Sequence, residues 1–384
     1  MALLARALLL ALSAAAAAAL SASDETAARA AIAAQLGLGA SYGAPCAPCA
    51  EGDTIGQLLR LAFHDAAGGG GPHGAGGGNG CIDATTSDNA GLADIQARVD
   101  AARAPFASLI SRADFFVLAA TVAVEAATTT PNSTVGLADL AASGLQPVAP
   151  LRLDMVFGRV DDANCAGVDA FFLPTPSCTW LGLVNVFGTG GRFQMDFSEI
   201  TALMGAHTVG RMHRNASGIE GAWTRSQSSF GSAYYRNLLS HGHVLNGAQP
   251  DTYIDTTAVP STGASKLVML RSDVELIILT VPSSDEENFV NAPLVETQCM
   301  GYSATSLRAI AGSNCPFQQR SIADVQAFAA NTALWHKVFR GAWRKLTEYA
   351  YAVDESSGLL VPGAAPTEIV RGFGGGVLPG HGMV

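Results

Sequence analysis

Two histidines in this chain stand in sequence contexts that suit chemistry. Arg60 and His64 are four residues apart in the apolar segment LLRLAFHDA, a spacing that places both side chains on one face of a helix. A neutral histidine can move protons, and a fixed guanidinium can stabilise developing negative charge in a dry pocket. His207, in ALMGAHTVGRMH, is surrounded by small and apolar residues, which suits a metal ligand. Together the two segments predict a haem group held between two helices.

These segments resemble the signatures of the plant-type haem peroxidase superfamily, which has plant, fungal and bacterial members. The distal signature stands here as Arg60-Leu61-Ala62-Phe63-His64-Asp65, and the proximal signature as Gly205-Ala206-His207-Thr208. The resemblance extends in patches from about Gly52 to about Tyr349. The stretch GNGCIDATTSDNAGL is similar to hybrid-type members, which mix features of cytochrome c and ascorbate peroxidases with those of secreted fungal and plant enzymes.

The resemblance implies a mainly α, two-lobed helical fold with haem b between the distal and proximal helices. It also implies an enzyme that reduces hydrogen peroxide and oxidises a small-molecule electron donor one electron at a time. A non-catalytic haem-binding homologue is the alternative. A catalase-type bifunctional enzyme would need tryptophan at the position of Phe63.

The resemblance assigns catalytic roles to three distal residues. His64 would take a proton from the peroxide and pass it to the departing oxygen, while Arg60 stabilises that oxygen. Asn89, in SDNAGL, would hold His64 in one tautomer. The alternative is that Asn89 or Asp88 merely caps the next helix. Phe63 would be the distal aromatic residue.

On the proximal side, the resemblance makes His207 the axial ligand of the haem iron. Asp273, in LRSDVELI, would be the carboxylate partner of His207, or else an ordinary turn aspartate. Trp223 matches the tryptophan that packs against the proximal ligand in cytochrome c and ascorbate peroxidases, with a plain core role as the alternative. Arg211 and His213 match positions that face the haem propionates, although as lone residues they could equally be solvated.

Two cation sites of the superfamily are only partly matched. Calcium requires six to eight hard oxygen ligands. At the distal site Asp65 can supply one, but the usual Asp-Gly-Ser reads Asn79-Gly80-Cys81. At the proximal site Thr208 and Thr224 are present, whereas Gly231 replaces an acidic ligand. Calcium is therefore a second candidate cofactor whose ligand sets are weakened.

The residues at three specialised donor positions argue for an unspecialised donor. Positions that match manganese ligands, the ascorbate-binding arginine and a ligninolytic surface tryptophan read Asp53, Gln57, His213, Ala216 and Ala202. One carboxylate among the manganese positions is too few for a hard divalent cation. We expect small phenols or aromatic amines to react at the haem edge, with a protein electron donor acting through Trp223 as the alternative.

Periodic apolar patterns predict the helices that must position these residues. They lie near 54–66, 89–110, 114–127, 197–211, 232–240, 321–331 and 333–350. Two segments, Lys266 to Leu270 and Val274 to Thr280, have strand-like patterns. The glycine-rich sequence between Ala66 and Gly80 predicts a loop.

The chain divides into a leader, a haem-binding domain and a tail. We expect a signal peptide at 1–23, a haem-binding domain at 24–350 and a poorly ordered tail at 351–384. Within the domain we expect a distal lobe at about 24–160 and a proximal lobe at about 161–330. The leader predicts entry to the secretory route, either by cleavage or as a signal anchor. After cleavage we expect no membrane span.

Composition limits the partners. The net charge of −10 argues against nucleic-acid binding, which requires a basic surface. Hydrophobic residues make up 49% of the chain and charged residues 14%, so a large core is easily built. We expect a monomer.

Seven cysteines suggest disulfides if the chain is secreted. Cys165 with Cys178 and Cys299 with Cys315 close short loops and are the expected bridges. The odd count leaves at least one thiol without a partner in the same chain.

Overall fold

The fold is mainly helical, as the sequence predicts. The computed structural model describes residues 20–38, 50–68, 77–129, 151–162, 165, 173–240, 243–245, 252–255, 267–277, 306–307 and 321–363. The α-helices are α1 (Ala22–Leu36), α2 (Ala50–Ala67), α3 (Ala93–Arg103), α4 (Arg112–Thr129), α5 (Trp180–Phe187), α6 (Phe197–Met204), α7 (Arg214–Ser217), α8 (Ala233–Ser240), α9 (Arg271–Val274), α10 (Ile322–Ala330) and α11 (Thr332–Thr347). Short 3-10 helices cover Ser87–Asn89, Ala104–Phe106 and Gly205–Thr208. The strands are β1 (His243–Leu245), β2 (Thr252–Asp255), β3 (Val268–Leu270), β4 (Ser306–Leu307), β5 (Tyr351–Val353) and β6 (Leu360–Pro362).

Helix α1 packs against α3 and α4. The Ser21 hydroxyl caps it by accepting a hydrogen bond from the Asp24 amide at 3.1 Å. Ala28, Ile32 and Leu36 recur every fourth position and are buried, so one face of α1 covers apolar surface. No helix in the described part of the chain is long and apolar enough to cross a membrane.

Helix α2, which carries Arg60 and His64, packs against α4 and α11. A buried ion pair fixes α4 to the segment 151–162, because Arg159 Nη1 lies 2.8 Å from Asp114 Oδ1. The Asp114 carboxylate also accepts a hydrogen bond from the Gly158 amide at 2.7 Å. The charge of the pair is thus balanced inside the protein, as burial requires.

The helix before His207 is shorter than the sequence predicts. Helix α6 begins with a capping box in which Asp196 and Glu199 satisfy each other's backbone amides. It ends at Met204, and His207 lies on the 3-10 turn that follows. The predicted helix to 211 was wrong at this end because Gly210 has φ +71° and closely contacts Gly56 of α2. This backbone contact brings the proximal segment against the distal helix.

The strand predicted at Lys266 to Leu270 is confirmed for residues 268–270, which form β3 in an antiparallel sheet of order β3-β2-β1-β4. Residue 266 lies outside the described residues. The strand predicted at Val274 to Thr280 was wrong for residues 274–277, which form the end of α9 and a turn. The reason is that the Asp273 carboxylate accepts the Leu270 amide at 2.7 Å and so starts a helix there. Residues 278–280 lie outside the described residues.

The expected disorder of the tail was wrong for residues 351–362. Strands β5 and β6 pair as an antiparallel hairpin. The hairpin packs on the segment 151–162, where Leu360 donates its amide to the Phe157 carbonyl at 2.7 Å. Tyr351 also donates its hydroxyl to the Gly78 carbonyl at 2.7 Å. The rest of the tail, 364–384, lies outside the described residues.

The expected Cys165–Cys178 bridge was wrong. Cys165 is bonded to Cys81, 84 positions away in sequence, and Cys178 is a free thiol. The loop length between two cysteines does not show which of them the folded chain brings together. The expected Cys299–Cys315 bridge and residues 1–19 of the expected signal peptide lie outside the described residues.

Candidate functional site

The distal residues predicted from sequence lie together. His64 Nδ1 is 2.8 Å from Asn89 Oδ1, and Asn89 Nδ2 donates to the Asp83 carbonyl at 2.9 Å. The second bond fixes the amide so that its oxygen faces the imidazole. A neutral His64 therefore carries its proton on Nδ1 and presents Nε2 as an acceptor. Asn89 does not cap α3, whose first flanking residue is Leu92.

Burial and charge keep the distal histidine neutral. Burial lowers the pKa of His64 to about 3, and the nearby Arg60 guanidinium acts in the same direction. Arg60 is held by two carbonyls of the turn that carries Asn89: Nη1 donates to Ala90 at 2.8 Å and Nη2 to Asp88 at 2.6 Å. The base and the cation are thus fixed by one short segment.

One face of α2 remains reachable by solvent although the rest of the helix is in the core. The half-buried residues recur at helical spacing and are Asp53, Gly56, Gln57, Arg60, Phe63 and His64. On the other side of the helix, Leu58 and Leu61 are fully buried. The Phe63 ring lies 5.6 Å from the His64 ring and 6.2 Å from that of Phe187. This face of α2 is therefore only partly covered by the described part of the chain.

The proximal residues also converge, on the carboxylate of Asp273. His207 Nδ1 lies 2.7 Å from Asp273 Oδ1, and Trp223 Nε1 donates to Asp273 Oδ2 at 2.8 Å. The Trp223 ring is stacked on His207 with centroids 4.3 Å apart and planes 15° from parallel. Asp273 is fully buried, whereas the His207 side chain is 29% exposed. The imidazole is held on one side and open on the other.

Sequence reasoning missed two groups at the proximal site. The Tyr234 hydroxyl donates to Asp273 Oδ1 at 2.8 Å, and the Leu270 amide donates to Asp273 Oδ2 at 2.7 Å. Burial raises the pKa of Tyr234 well above its usual value, and the Asp273 charge adds to that rise. The only signal for Tyr234 was an aromatic pair, Tyr234-Tyr235, in an apolar helix pattern.

The side chains of Arg211 and His213 each pair with an acidic side chain. Arg211 forms an ion pair with Glu220, and His213 Nε2 lies 3.3 Å from Asp53 Oδ1. Arg211 Nε is buried and has no hydrogen-bond partner among the described residues. A buried donor of this kind remains available for an anionic ligand.

At the distal cation position, backbone amides surround the carboxylate. Asp65 Oδ1 accepts hydrogen bonds from the amides of Asn79 at 3.3 Å and Cys81 at 3.0 Å. Asn79 Oδ1 accepts from the same Cys81 amide at 3.1 Å. Burial raises the pKa of Asp65 to about 6, against the effect of these amides and of Arg159. The loop is thus fastened to Asp65 by its own amides.

At the proximal cation position, the two threonines bond directly to the backbone. Thr224 Oγ1 donates to the Thr208 carbonyl at 2.7 Å, and Thr208 Oγ1 donates to the Gly231 carbonyl at 2.8 Å. Among the described residues, no group of three or more histidine, cysteine or acidic side chains could hold a metal ion.

The sequence matches a known protein family. The family model described as peroxidase matches residues 41–284, which is more than half of the chain. The chain belongs to the peroxidase family.

Several relatives carry peroxidase names. The chain is 34% identical over 203 residues to "L-ascorbate peroxidase 1, cytosolic" of Oryza sativa subsp. indica, which covers 50% of the chain and 68% of that protein. It is 35% identical over 136 residues to "L-ascorbate peroxidase 2, cytosolic" of Arabidopsis thaliana, covering 34% of the chain and 42% of the relative. It is 39% identical over 82 residues to "Cytochrome c peroxidase, mitochondrial" of Yarrowia lipolytica, covering 21% and 23%. The matches to the last two relatives span less than half of their length.

The residues present fit the haem group that the family implies. His207 Nε2 has no hydrogen-bond partner among the described residues, while Nδ1 is held by a carboxylate. The buried Arg211 Nε suits a propionate, and the half-buried face of α2 with Phe63 suits a flat apolar ring. A free imidazole nitrogen, a buried cation and an apolar edge are the contacts that an iron porphyrin needs.

Proposed function

We propose that the protein is a haem-dependent peroxidase that reduces hydrogen peroxide and oxidises small phenols or aromatic amines in one-electron steps. The observation that carries the proposal is the presence of two oriented histidines, His64 on Asn89 and His207 on Asp273, in a chain of the peroxidase family. Haem b bound through His207 Nε2 would supply the redox-active iron at which the peroxide bond breaks.

The distal residues supply the proton transfer in this proposal. Because the pKa of His64 is lowered to about 3, its Nε2 is an unprotonated acceptor at neutral pH. It takes the proton from one peroxide oxygen and returns it to the other, while Asn89 holds the ring in place. Arg60, fixed by Asp88 and Ala90, stabilises the negative charge on the departing oxygen.

The proximal residues determine how strongly His207 donates to the iron. A carboxylate on Nδ1 gives the imidazole anionic character and makes it a stronger ligand. Asp273 has no exposure to solvent, so water does not weaken this effect. Trp223, stacked on His207, holds the ring orientation and is the residue through which a protein electron donor would act in the alternative function.

We infer the electron donor from the side chains that are missing at the positions matched to the manganese and ascorbate sites. Asp53, the one carboxylate among the manganese positions, is already paired with His213. Ala216, at the ascorbate-arginine position, has no polar side-chain group and lies against Gly91, where a side-chain carbon would be 2.7 Å from its Cβ. Neither position offers a free polar group for a dedicated donor, so we expect small aromatic donors to react at the open edge.

We further propose that the protein enters the secretory route and that its two calcium sites are weakened. The Cys81–Cys165 bridge supports the first point, since stable disulfides belong to oxidising compartments. Asn215, in the glycosylation sequon Asn215-Ala-Ser, is exposed. Asn79 and Gly231, which stand at positions of acidic ligands, support the second point. Asp65 Oδ1 already accepts two backbone amides, while its Oδ2 has no hydrogen-bond partner among the described residues.

The test is steady-state turnover of the haem-loaded chain with hydrogen peroxide and, separately, guaiacol, manganese(II), ascorbate and ferrocytochrome c. We expect guaiacol to be oxidised and His64→Leu to lose most of that activity while keeping bound haem. Lys337→Ala, a change at a surface residue of α11, is the control and should leave both unchanged. Saturable and clearly preferred oxidation of manganese, ascorbate or ferrocytochrome c would reject the donor assignment. A wild-type protein that binds haem but leaves peroxide untouched would support the non-catalytic alternative.

A further inference from the structure

The proximal site continues into an unbroken row of aromatic rings that the proposed function does not use. The Tyr234 ring lies 6.0 Å from His207 and 5.1 Å from Tyr235. Tyr235 lies 5.5 Å from Trp335 of α11. Each of these three aromatic side chains is fully buried. The row therefore leads from the proximal ligand into the core beneath α11.

The row continues along α11. The Phe339 ring lies 6.1 Å from Trp335 and 5.9 Å from Trp343, stacked on the latter at 15°. Trp343 is only 3% exposed, and its Nε1 is buried with no hydrogen-bond partner among the described residues. The row thus ends inside the protein, just below the surface of α11.

The hydrogen bonds decide which of these rings can give up an electron. A phenol is readily oxidised only if a base takes its proton, and Tyr234 donates to the Asp273 carboxylate at 2.8 Å. Tyr235 donates to the Thr201 carbonyl, which cannot accept a proton at ordinary pH. An indole can be oxidised without losing its proton, and Trp335 Nε1 remains bonded to the Ala202 carbonyl at 2.9 Å.

We propose that Tyr234, Trp335 and Trp343 form an electron relay, with Tyr235 and Phe339 as bridging rings. The relay rests on the proposed function, because hydrogen peroxide is its oxidant. In the absence of an external donor, electrons move along the row towards the proximal site, and Trp343 becomes the internal, sacrificial donor. Because Trp343 is buried, a large protein partner cannot contact it. Oxidation that reaches Trp343 therefore remains within this chain.

The atoms, electrons and protons of the proposed oxidation balance. When Tyr234 gives an electron, its phenolic proton passes to Asp273, and it returns when Tyr234 is reduced again by Trp335. Trp343 in turn reduces Trp335. Two successive one-electron oxidations of Trp343, followed by addition of water, give an oxygenated indole and release two electrons and two protons. Those two electrons and two protons convert one hydrogen peroxide into two waters, so the protein gains one oxygen atom per peroxide consumed.

The experiment treats the haem-loaded full chain with hydrogen peroxide in the absence of a donor and maps oxygen addition by peptide mass spectrometry. Trp180 is the matched control residue, because it is similarly buried at 7% exposure and contacts the ring of Phe197, outside the row. We expect oxygen addition at Trp343 well above that at Trp180. In Trp335→Phe we expect oxidation of Trp343 to fall to the level of Trp180, and in Trp180→Phe we expect it to persist.

Two further measurements distinguish failure of the relay from failure of the proposed function. The response of the Soret band to peroxide reports the site itself, and circular dichroism reports whether Trp335→Phe is folded. If that variant is unfolded, Tyr234→Phe replaces it, and the same loss at Trp343 is expected. A wild-type Soret band that does not respond contradicts the proposed function and the relay with it. A normal Soret response with equal oxidation of Trp343 and Trp180, or with Trp343 oxidation retained in Trp335→Phe, overturns the relay alone.

Discussion

Asp273 joins more of the proximal site than its sequence motif suggests. Its two oxygens accept from His207 Nδ1, Trp223 Nε1, the Tyr234 hydroxyl and the Leu270 amide. A carboxylate has enough lone pairs for all four donors, whereas an amide has one oxygen and brings donors of its own. The negative charge is therefore needed both for packing of the site and for the basicity of the imidazole.

We predict that Asp273→Asn raises the reduction potential of the bound haem iron, because a less anionic His207 stabilises the oxidised iron less. A spectroelectrochemical titration measures the shift. Asp154→Asn, at a side chain 68% exposed, is the control and should leave the potential unchanged. Equal potentials in the wild type and Asp273→Asn would show that the carboxylate does not tune the ligand.

The pH profile of the peroxide reaction tests the distal assignment. Because burial and Arg60 lower the pKa of His64 from 6.5 to about 3, the base form persists to well below pH 6. We predict a second-order rate constant for peroxide that is nearly constant between pH 5 and 8 and falls only as pH approaches 3 (about a tenfold loss per pH unit below the pKa). Stopped-flow mixing measures it. A fall centred near pH 6.5 would mean that His64 titrates like an exposed histidine.

The same pKa shift has a consequence for stability. In the unfolded chain His64 takes up a proton near pH 6.5, whereas in the folded chain it stays neutral until about pH 3. The unfolded state therefore binds more protons between these values, so His64 increasingly destabilises the folded protein as pH falls from 6.5 towards 3.

At the residue scale, the sequence was sufficient to predict which side chains meet where a motif has a fixed local spacing. Arg60 and His64 are one helical turn apart, and their meeting on one face follows from helix geometry. Tyr234 could not be predicted, because its partner Asp273 lies 39 positions away and the contact depends on how α8 and α9 pack. The disulfide partner of Cys81 was unpredictable for the same reason.

At the scale of elements, close backbone contact sets the relation between the distal and proximal segments. A side-chain carbon at Gly56 would lie 2.9 Å from the Gly210 Cα, too close for any residue but glycine. The periodic pattern of α2 predicted its helix but gave no sign of this contact. Contacts of this kind, and the end of α6 at Met204, depend on which distant segment of the chain packs against the helix. The local sequence pattern does not contain that information.

We predict that Gly56→Ala destabilises the protein by about 1–3 kcal/mol, the usual cost of overpacking, and weakens haem binding by pushing α2 away from the segment after His207. Urea unfolding and a haem titration measure the two effects. Gly341→Ala is the control, since Gly341 lies within α11 with nothing near its position. That change should stabilise by up to about 1 kcal/mol through helix propensity. Equal effects of the two changes would show that the contact is unimportant.

At the scale of the whole molecule, the Cys81–Cys165 bridge ties the loop around Asp65 to the segment that follows Arg159. That loop also ends at Asp83, whose carbonyl orients Asn89 and through it His64. The bridge therefore supports the distal site as well as the fold. Because the net charge of the whole chain is −10, we expect no nucleic-acid partner.

We predict that replacing Cys81 and Cys165 by serine lowers the free energy of unfolding by about 2–4 kcal/mol, as expected for loss of a bridge that closes a long loop. Cys178→Ser, at the free thiol, is the control and should cost less than about 1 kcal/mol. Urea denaturation under non-reducing conditions compares the three proteins. A double variant as stable as the control would show that the bridge contributes nothing to the fold.

The proposed function requires that one chain hold haem on His207 and activate peroxide with His64. The most direct measurement is stopped-flow absorption after mixing the haem-loaded protein with a series of hydrogen peroxide concentrations, each in excess over haem. We predict a rapid Soret change whose rate rises linearly with peroxide in the wild type and is at least about 100-fold slower in His64→Leu. The same rate in both proteins, or no change in the wild type, would contradict the account.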